Sequence, residues 1–281
     1  MMDKGLAPGL HIVATPIGNL GDLSSRAAET LRNVDLILAE DTRITAKLLA
    51  HIRAKVPMVR YDDHASDQQR NSIIARLGSE AIALVSDAGT PLISDPGYKL
   101  VREARAAGHR VHTVPGPCAA IAALTLAGLP TDRFLFLGFL PAKPGARANS
   151  LRDIADVRAT LVIYESGPRV AATLTALEAG LGPRDAAVAR EITKLYEECV
   201  TGSLTDLARR YADADAAPKG ELVIVVAPPH EAETASDEII DKLLDDALAR
   251  LSPSRAAAEV AEQLNIPRKR AYARALELSR K

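Results

Sequence analysis

Short apolar runs alternate with stretches of helical periodicity along most of this chain, and that alternation restricts the fold more than any other feature. "LHIVA" at 10–14, "LRNVDLILAE" at 31–40, "VPMVRY" at 56–61, "AIALVSD" at 81–87 and "HRVHTVPG" at 109–116 carry strand signals. Between them lie helical patterns such as Leu23, Ala27, Leu31 and Val34, or Ile73, Ile74 and Leu77. Strand-helix-strand alternation with apolar strands predicts a mostly parallel sheet covered by helices. A second series follows: "FLFLGF" at 134–139, "TLVIYE" at 160–165, "DAAVARE" at 185–191, "ECVTGSL" at 198–204 and "ELVIVVA" at 221–227. No convincing repeat links the halves. The junction falls at "VPGPCAAIAALTLAGLP", where Gly and Pro bracket an Ala-rich helix. The expected organisation is α/β, with α/β domains at 1–117 and 118–232 and a small helical domain at 233–281.

Composition narrows the function classes. The apolar runs are far shorter than a membrane span, and the opening "MMDKGLAPGLHIVATP" lacks a basic region followed by an apolar signal segment. A cytoplasmic chain is expected. Cys118 and Cys199 stand far apart and outside any metal-ligand spacing, so neither a disulfide framework nor a metal site is predicted. The net charge of −1 argues against a chain that coats nucleic acid, and the absence of Trp argues against rows of base-stacking platforms. Charge is nevertheless uneven near the end, with 231–250 mostly acidic and 252–281 mostly basic.

The loops carry the chemistry. "ATPIGNLGDLSSRA" at 14–27 follows the first strand and enters a helix through Asp22 or Ser24, either of which suits an N-cap. It is neither a dinucleotide fingerprint nor a P-loop. "SDAGTPLISDPG" at 86–97 combines Gly, Pro, Asp and Ser so densely that one loop shape is specified. Together with 115–119 and "YESGPR" at 164–169, these loops follow successive strands and are expected to converge on one cleft.

"HIVATPIGNLGDLSSRA", "LILAEDTR", "SDAGTPLISDPGYKLV", "VPGPCAAIAAL", "YESGPR" and "AREITKLYEE", in this order and at this spacing, resemble the S-adenosylmethionine-dependent tetrapyrrole methylase superfamily. The resemblance runs from about residue 10 to 227. It implies a cofactor, S-adenosylmethionine, folded into the cleft between two α/β domains and touched largely by loop backbone. Pro16, Ile17, Gly18, Ser86, Asp87, Ala88, Gly89, Thr90, Ile93, Pro117, Cys118, Ala119, Glu165 and Ala189 would line it. Many tetrapyrrole-modifying members carry prolines where this chain has Ile17 and Ala88. That departure favours the branch that methylates a cytidine 2′-hydroxyl of 16S rRNA in the small ribosomal subunit, and the resemblance also implies a homodimer.

Methyl transfer to a ribose oxygen needs in-line alignment, and a base or cation near the hydroxyl. Glu40, Asp41, Asp87, Glu191 and Lys194 are candidates, with Glu191 and Lys194 preferred. Asp87 in a loop of this kind more often caps backbone N–H groups, and Glu40, Asp41 and Arg43 also suit an ion-pair network. His64 reads as a solvated loop histidine and Cys118 as a small buried thiol. The last segment reads as two helices joined at "NIP", with Pro253 in a first turn, Asn265 ending one helix and Pro267 opening the next. Arg268, Lys269 and Arg270 start the second, as in a helix-turn-helix that meets phosphates. Arg43, Lys143 and Arg147 are expected on the cleft rim as further RNA contacts. The preceding acidic helix, with Ile239, Ile240, Leu243, Leu244, Ala247 and Leu251, is expected to dock on the body or a second subunit. Two other readings stay open: a methyltransferase for a tetrapyrrole or other non-RNA acceptor, and a noncatalytic cofactor-binding factor in ribosome assembly.

Overall fold

Burial on both faces explains the three central strands of the first sheet, while its two edge strands are more exposed. β1 (Gly9–Val13), β2 (Leu36–Ala39), β3 (Met58–Arg60), β4 (Ala81–Val85) and β5 (Val111–Val114) pair in the order β3-β2-β4-β1-β5, all parallel. The computed structural model describes residues 5–212, 218, 220–229, 236–264, 266 and 268–279. Successive strand residues point to opposite faces. On one face Ala81, Ala83 and Val85 meet Leu31 of α1 (Ser25–Asn33) and Leu48 and Leu49 of α2 (Thr42–His51). On the other, Ile82 and Leu84 meet Ile73 of α3 (Asp67–Arg76) and Leu100 and Ala104 of α4 (Tyr98–Ala106). Ser24 rather than Asp22 caps α1, its side chain accepting the Ala27 N–H at 3.1 Å.

The strand order reverses between β4 and β1, which places the loops after these two strands side by side at the ligand-binding edge of an open parallel sheet. They are tied together there. The Thr15 N–H donates to the Gly89 carbonyl at 2.8 Å, and the Gly89 N–H returns to Thr15 at 3.1 Å.

The second sheet departs from the parallel arrangement expected of the sequence. β6 (Phe134–Phe139), β7 (Thr160–Ser166), β8 (Asp185–Arg190), β9 (Glu198–Ser203) and β10 (Glu221–Val226) pair in the order β6-β7-β10-β8-β9. Only β6 and β7 are parallel. The cause is connectivity: a short turn at 191–197 joins β8 to β9 without a crossover helix, and β10 inserts antiparallel to both neighbours. α5 (Ala119–Leu126) covers one face with Ala120, Ala123 and Leu124 against Val162, Ala187 and Val223. α6 (Pro144–Ile154), α7 (Gly167–Leu181) and α8 (Leu204–Ala212) supply Leu151, Leu174 and Leu207 to the other.

The chain divides into two units at Pro229 and His230, the first holding both sheets. The second contains α9 (Asp237–Leu248), α10 (Pro253–Gln263) and α11 (Arg268–Leu278). Here the acidic helix departs from expectation. Ile240, Leu244 and Ala247 of α9 are buried with Ala257 and Val260 of α10 and Ala271 and Ala275 of α11, so its apolar stripe closes the core of its own unit. Ile239 stays half exposed. The charge asymmetry serves the same packing, because Arg270 pairs with Asp237 at 2.7 Å and Arg274 pairs with Asp241. Asn265 and Pro267 lie outside the described residues. No helix among the described residues is long and apolar enough to cross a membrane.

Candidate functional site: a cleft between the two sheets

A cleft of about 380 Å³ opens between the loop edges of the two sheets, within the range of about 300–1,000 Å³ usual for small-molecule sites. From the first sheet it takes Ile17, Glu40 and residues of the 86–97 loop; from the second it takes Phe139, Tyr164, Glu165, Glu191, Lys194 and Val223. Among the described residues, five non-glycine positions have positive φ. Four of them border this cleft: Leu92 (74°) and Ser94 (64°) in one loop, Glu191 (51°) and Thr193 (67°) in the other. Such backbone costs on the order of 1–3 kcal/mol per residue and tends to collect at functional sites.

Eight of the fourteen residues expected to hold a cofactor form the wall: Ile17, Asp87, Ala88, Gly89, Thr90, Ile93, Ala119 and Glu165. The other six stand behind it or beside it. Ser86 is buried and its hydroxyl faces the carbonyls of Ala88 and Gly89, while the Pro117 carbonyl accepts the Thr90 hydroxyl at 2.8 Å. Cys118 is the N-cap of α5 without using its thiol, and the Tyr164 hydroxyl accepts the Ala120 N–H instead, at 3.2 Å. Pro16 and Gly18 precede the short turn Leu20–Asp22, and a Cβ on Gly18 would meet Lys194 Cγ at 2.6 Å. Ala189 also stands behind the wall: it is fully buried in β8, in register with Cys199 and with Val223, which does line the cleft.

Glu191 and Lys194 both reach the cleft, and the Lys194 ammonium lies 2.9 Å from Glu191 Oε1. Asp87 takes the structural role foreseen for it, accepting the Asp41 N–H at 2.9 Å. Asp41 and Arg43 form the expected ion pair, and the guanidinium holds the Asp41 carboxyl well below the usual carboxylate range. Arg43 remains on the surface, as does Lys143 at the start of α6. Arg147 is a correction. It is 8% exposed with Nη1 3.4 Å from Thr173 Oγ1, because it lies one turn before buried Leu151, on the face of α6 that packs against α7.

The carboxylates shape the electrostatics. Burial, then the charge of Asp87, raises Glu40; burial also raises Asp87. Burial pushes Asp95 up to about 6, with the charges of Glu40 and Asp87 acting in the same direction and a Ser86 hydrogen bond opposing them. Asp95 was not among the candidates read from the sequence, although it lies within the quoted loop. Tyr164, Ser166 and Ile192 lie within the loop motifs without carrying a candidate role, and Phe139, Glu221 and Val223 had no signal beyond strand patterning. An apolar wall facing several carboxylates suits a ligand with an aromatic base and positive charge. S-adenosylmethionine has that chemistry.

A family model described as Tetrapyrrole (Corrin/Porphyrin) Methylases matches residues 9–208. The chain belongs to that family. A second model, described as RsmI C-terminal HTH domain, matches residues 233–279. The curated ribosomal RNA small subunit methyltransferase I of Erythrobacter litoralis (strain HTCC2594) is 53% identical over 273 residues, covering 97% of this chain and 96% of that one. Its counterpart from Mesorhizobium japonicum is 47% identical over 279 residues, covering 98% and 94%. Among solved structures, a uroporphyrin-III C-methyltransferase from Thermus thermophilus complexed with S-adenosylhomocysteine aligns with a TM-score of 0.53 and 21% identity, over 77% of this chain and 96% of that one. At that identity the likeness speaks for the fold alone.

Proposed function

We propose that this chain transfers a methyl group from S-adenosylmethionine to the 2′-hydroxyl of a cytidine ribose in 16S rRNA, acting in the cytoplasm on the small ribosomal subunit. The observation that carries this reading is similarity along nearly the whole chain, C-terminal helical unit included, to ribosomal RNA small subunit methyltransferases I. The cofactor supplies an already activated methyl group. The chain aligns the reacting atoms, which is worth roughly 7–11 kcal/mol in favourable cases. In this reading the loops at 86–97 and 14–18 hold the cofactor, and Glu191 keeps Lys194 directed into the cleft, where its charge stabilises negative charge developing on oxygen. Pairing of two copies belongs to the same reading, supported by exposed Ile121, Leu126 and Phe134.

The deciding experiment offers labelled S-adenosylmethionine with unmethylated small subunits, naked 16S rRNA or uroporphyrinogen. Label is expected in the RNA of the small subunits. Label in uroporphyrinogen instead would establish the tetrapyrrole reading, and cofactor binding without transfer to any acceptor would establish the assembly-factor reading.

Arg43, Lys143, Arg268, Lys269 and Arg270 are the proposed RNA contacts; buried Arg147 does not reach the surface. Arg270 already pairs with Asp237 and Arg268 reaches the Ser254 hydroxyl at 3.3 Å, so the charge offered to phosphate is smaller than three full contacts. Arg268→Ala with Lys269→Ala should weaken binding to small subunits and flatten its salt dependence by about 1.4 in log–log slope, from about 0.7 per single-strand phosphate contact. Affinity for S-adenosylmethionine should not change. An unaltered slope would remove this helix start from RNA recognition.

A further inference from the structure

We propose that Asp95 is the proton acceptor of the methyl transfer, the carboxylate that receives the ribose hydroxyl proton as the oxygen attacks. The proposal rests on the reading of this chain as a ribose methyltransferase and adds a catalytic residue to it. The hydroxyl oxygen forms a C–O bond to the methyl carbon as the C–S bond breaks. The C–S electron pair goes to sulfur, giving a neutral thioether, and the hydroxyl proton ends on Asp95.

Six carboxylates line the cleft: Glu40, Asp87, Asp95, Glu165, Glu191 and Glu221. Five are committed elsewhere. Glu165 is fully buried and accepts from the Ser166 N–H at 2.8 Å and the Thr173 hydroxyl at 2.7 Å, with Arg169 at 3.3 Å. Glu191 holds Lys194. Glu221 is 83% exposed, so water competes for it. Asp87 accepts the Asp41 N–H, and Glu40 accepts the Asp87 N–H. The Ser86 hydroxyl, which also faces the carbonyls of Ala88 and Gly89, favours the ionised form of Asp95, and no ion pair reaches that carboxylate among the described residues. A carboxylate has about four lone-pair sites, so an incoming O–H finds an acceptor there.

The backbone aims this group. Asp95 lies between Ser94, held at φ 64°, and Pro96, whose ring fixes the next φ and restricts the residue before it. Gly97 at φ 130° then sits against Leu84, where a Cβ would come within 2.6 Å of Cδ2. The density of Pro, Gly and Ser in this loop thus has a use beyond forming a wall, since a base must be placed within hydrogen-bond reach. The groups facing Asp95 are Glu40 after β2, Asp63 after β3, Asp87 after β4 and Tyr164 on β7. The three carboxylates raise its affinity for a proton, and a base that titrates near 6 is ionised at neutral pH yet basic enough to accept one.

The test measures single-turnover transfer to unmethylated small subunits between pH 5 and 8, together with cofactor affinity by calorimetry and melting temperature. For the unaltered protein the rate should rise with pH and level off above about 6. Asp95→Asn should lower the rate about 10²- to 10⁴-fold and abolish that break. The rates are compared at saturating cofactor, set from each protein's own measured affinity, and the melting temperature of Asp95→Asn should not fall, because a neutral amide relieves like-charge repulsion. Ser86→Ala removes the hydrogen bond that favours the ionised carboxylate, so the break should move upward. The carbon-13 carboxyl resonance lost in Asp95→Asn should titrate near 6, a readout independent of turnover. An Asp95→Asn rate within about threefold of the unaltered protein, an unchanged break, or a resonance titrating near 4 would overturn the assignment. Failure of the unaltered protein to methylate small subunits would instead overturn the ribose methyltransferase reading and Asp95 with it.

Discussion

Gly89→Val is expected to weaken S-adenosylmethionine binding by at least about 100-fold while leaving a folded protein. Gly89 sits at φ +82°, a conformation that a β-branched residue adopts only under strain. Its backbone is tied to Thr15 in both directions, so the loop cannot relax without breaking two hydrogen bonds of 2.8 and 3.1 Å. The added carbons have nowhere else to go: a Cβ would already lie 3.1 Å from Ile17 Cγ2 and 3.6 Å from the Pro117 carbonyl, and both Gly89 and Ile17 belong to the cleft wall. Strain of on the order of 1–3 kcal/mol should also lower the urea midpoint modestly. Calorimetry checks the affinity and circular dichroism the fold. Unchanged affinity in a folded Gly89→Val protein would take this loop out of the cofactor site.

The second large effect concerns stability. Glu165→Ala should cost about 3–5 kcal/mol, the range for removing one partner of a buried charged network. Its carboxylate is fully buried and satisfies the Ser166 N–H, the Thr173 hydroxyl and Arg169 at once. Thr173 connects in turn to buried Arg147, whose Nε already lacks a partner. Deleting the carboxylate therefore strands positive charge and opens a cavity in the second sheet's core. Arg169→Ala should also destabilise, but by less, because the Ser166 N–H and the Thr173 hydroxyl still hold the buried carboxylate and only the one-third exposed guanidinium is lost. Urea unfolding of both variants checks the contrast. A cost below about 1 kcal/mol for Glu165→Ala would contradict it.

Strand positions were legible in the sequence because buried strands need apolar runs, and all ten runs became strands. Helix starts were legible where a side chain closes a backbone N–H, as at Ser24. The wall of the cleft was legible as well: Gly89 needs positive φ and the prolines fix φ locally, so loop shape is written in residue type. Long-range pairing was not. Nothing local distinguishes β10, inserted between β7 and β8, from a strand at the sheet edge, since an apolar run reads the same in either direction. Arg147 and Arg268 look alike as sequence, both basic residues near a helix start. The packing of α6 onto the second sheet buries one, and the other stays exposed.

Periodicity and turn chemistry, which act over a few residues, determined by themselves the elements, the rigid loops and the residue types available to the site. Tertiary structure alone decided which carboxylates became neighbours. Glu40 follows β2 while Asp87 and Asp95 follow β4, strands adjacent in the sheet but separated in the chain by α2, β3 and α3, and the repulsion between Glu40 and the other two exists only once β2 and β4 pair. Burial and charge act through distance in space, and one chain's sequence does not contain that distance.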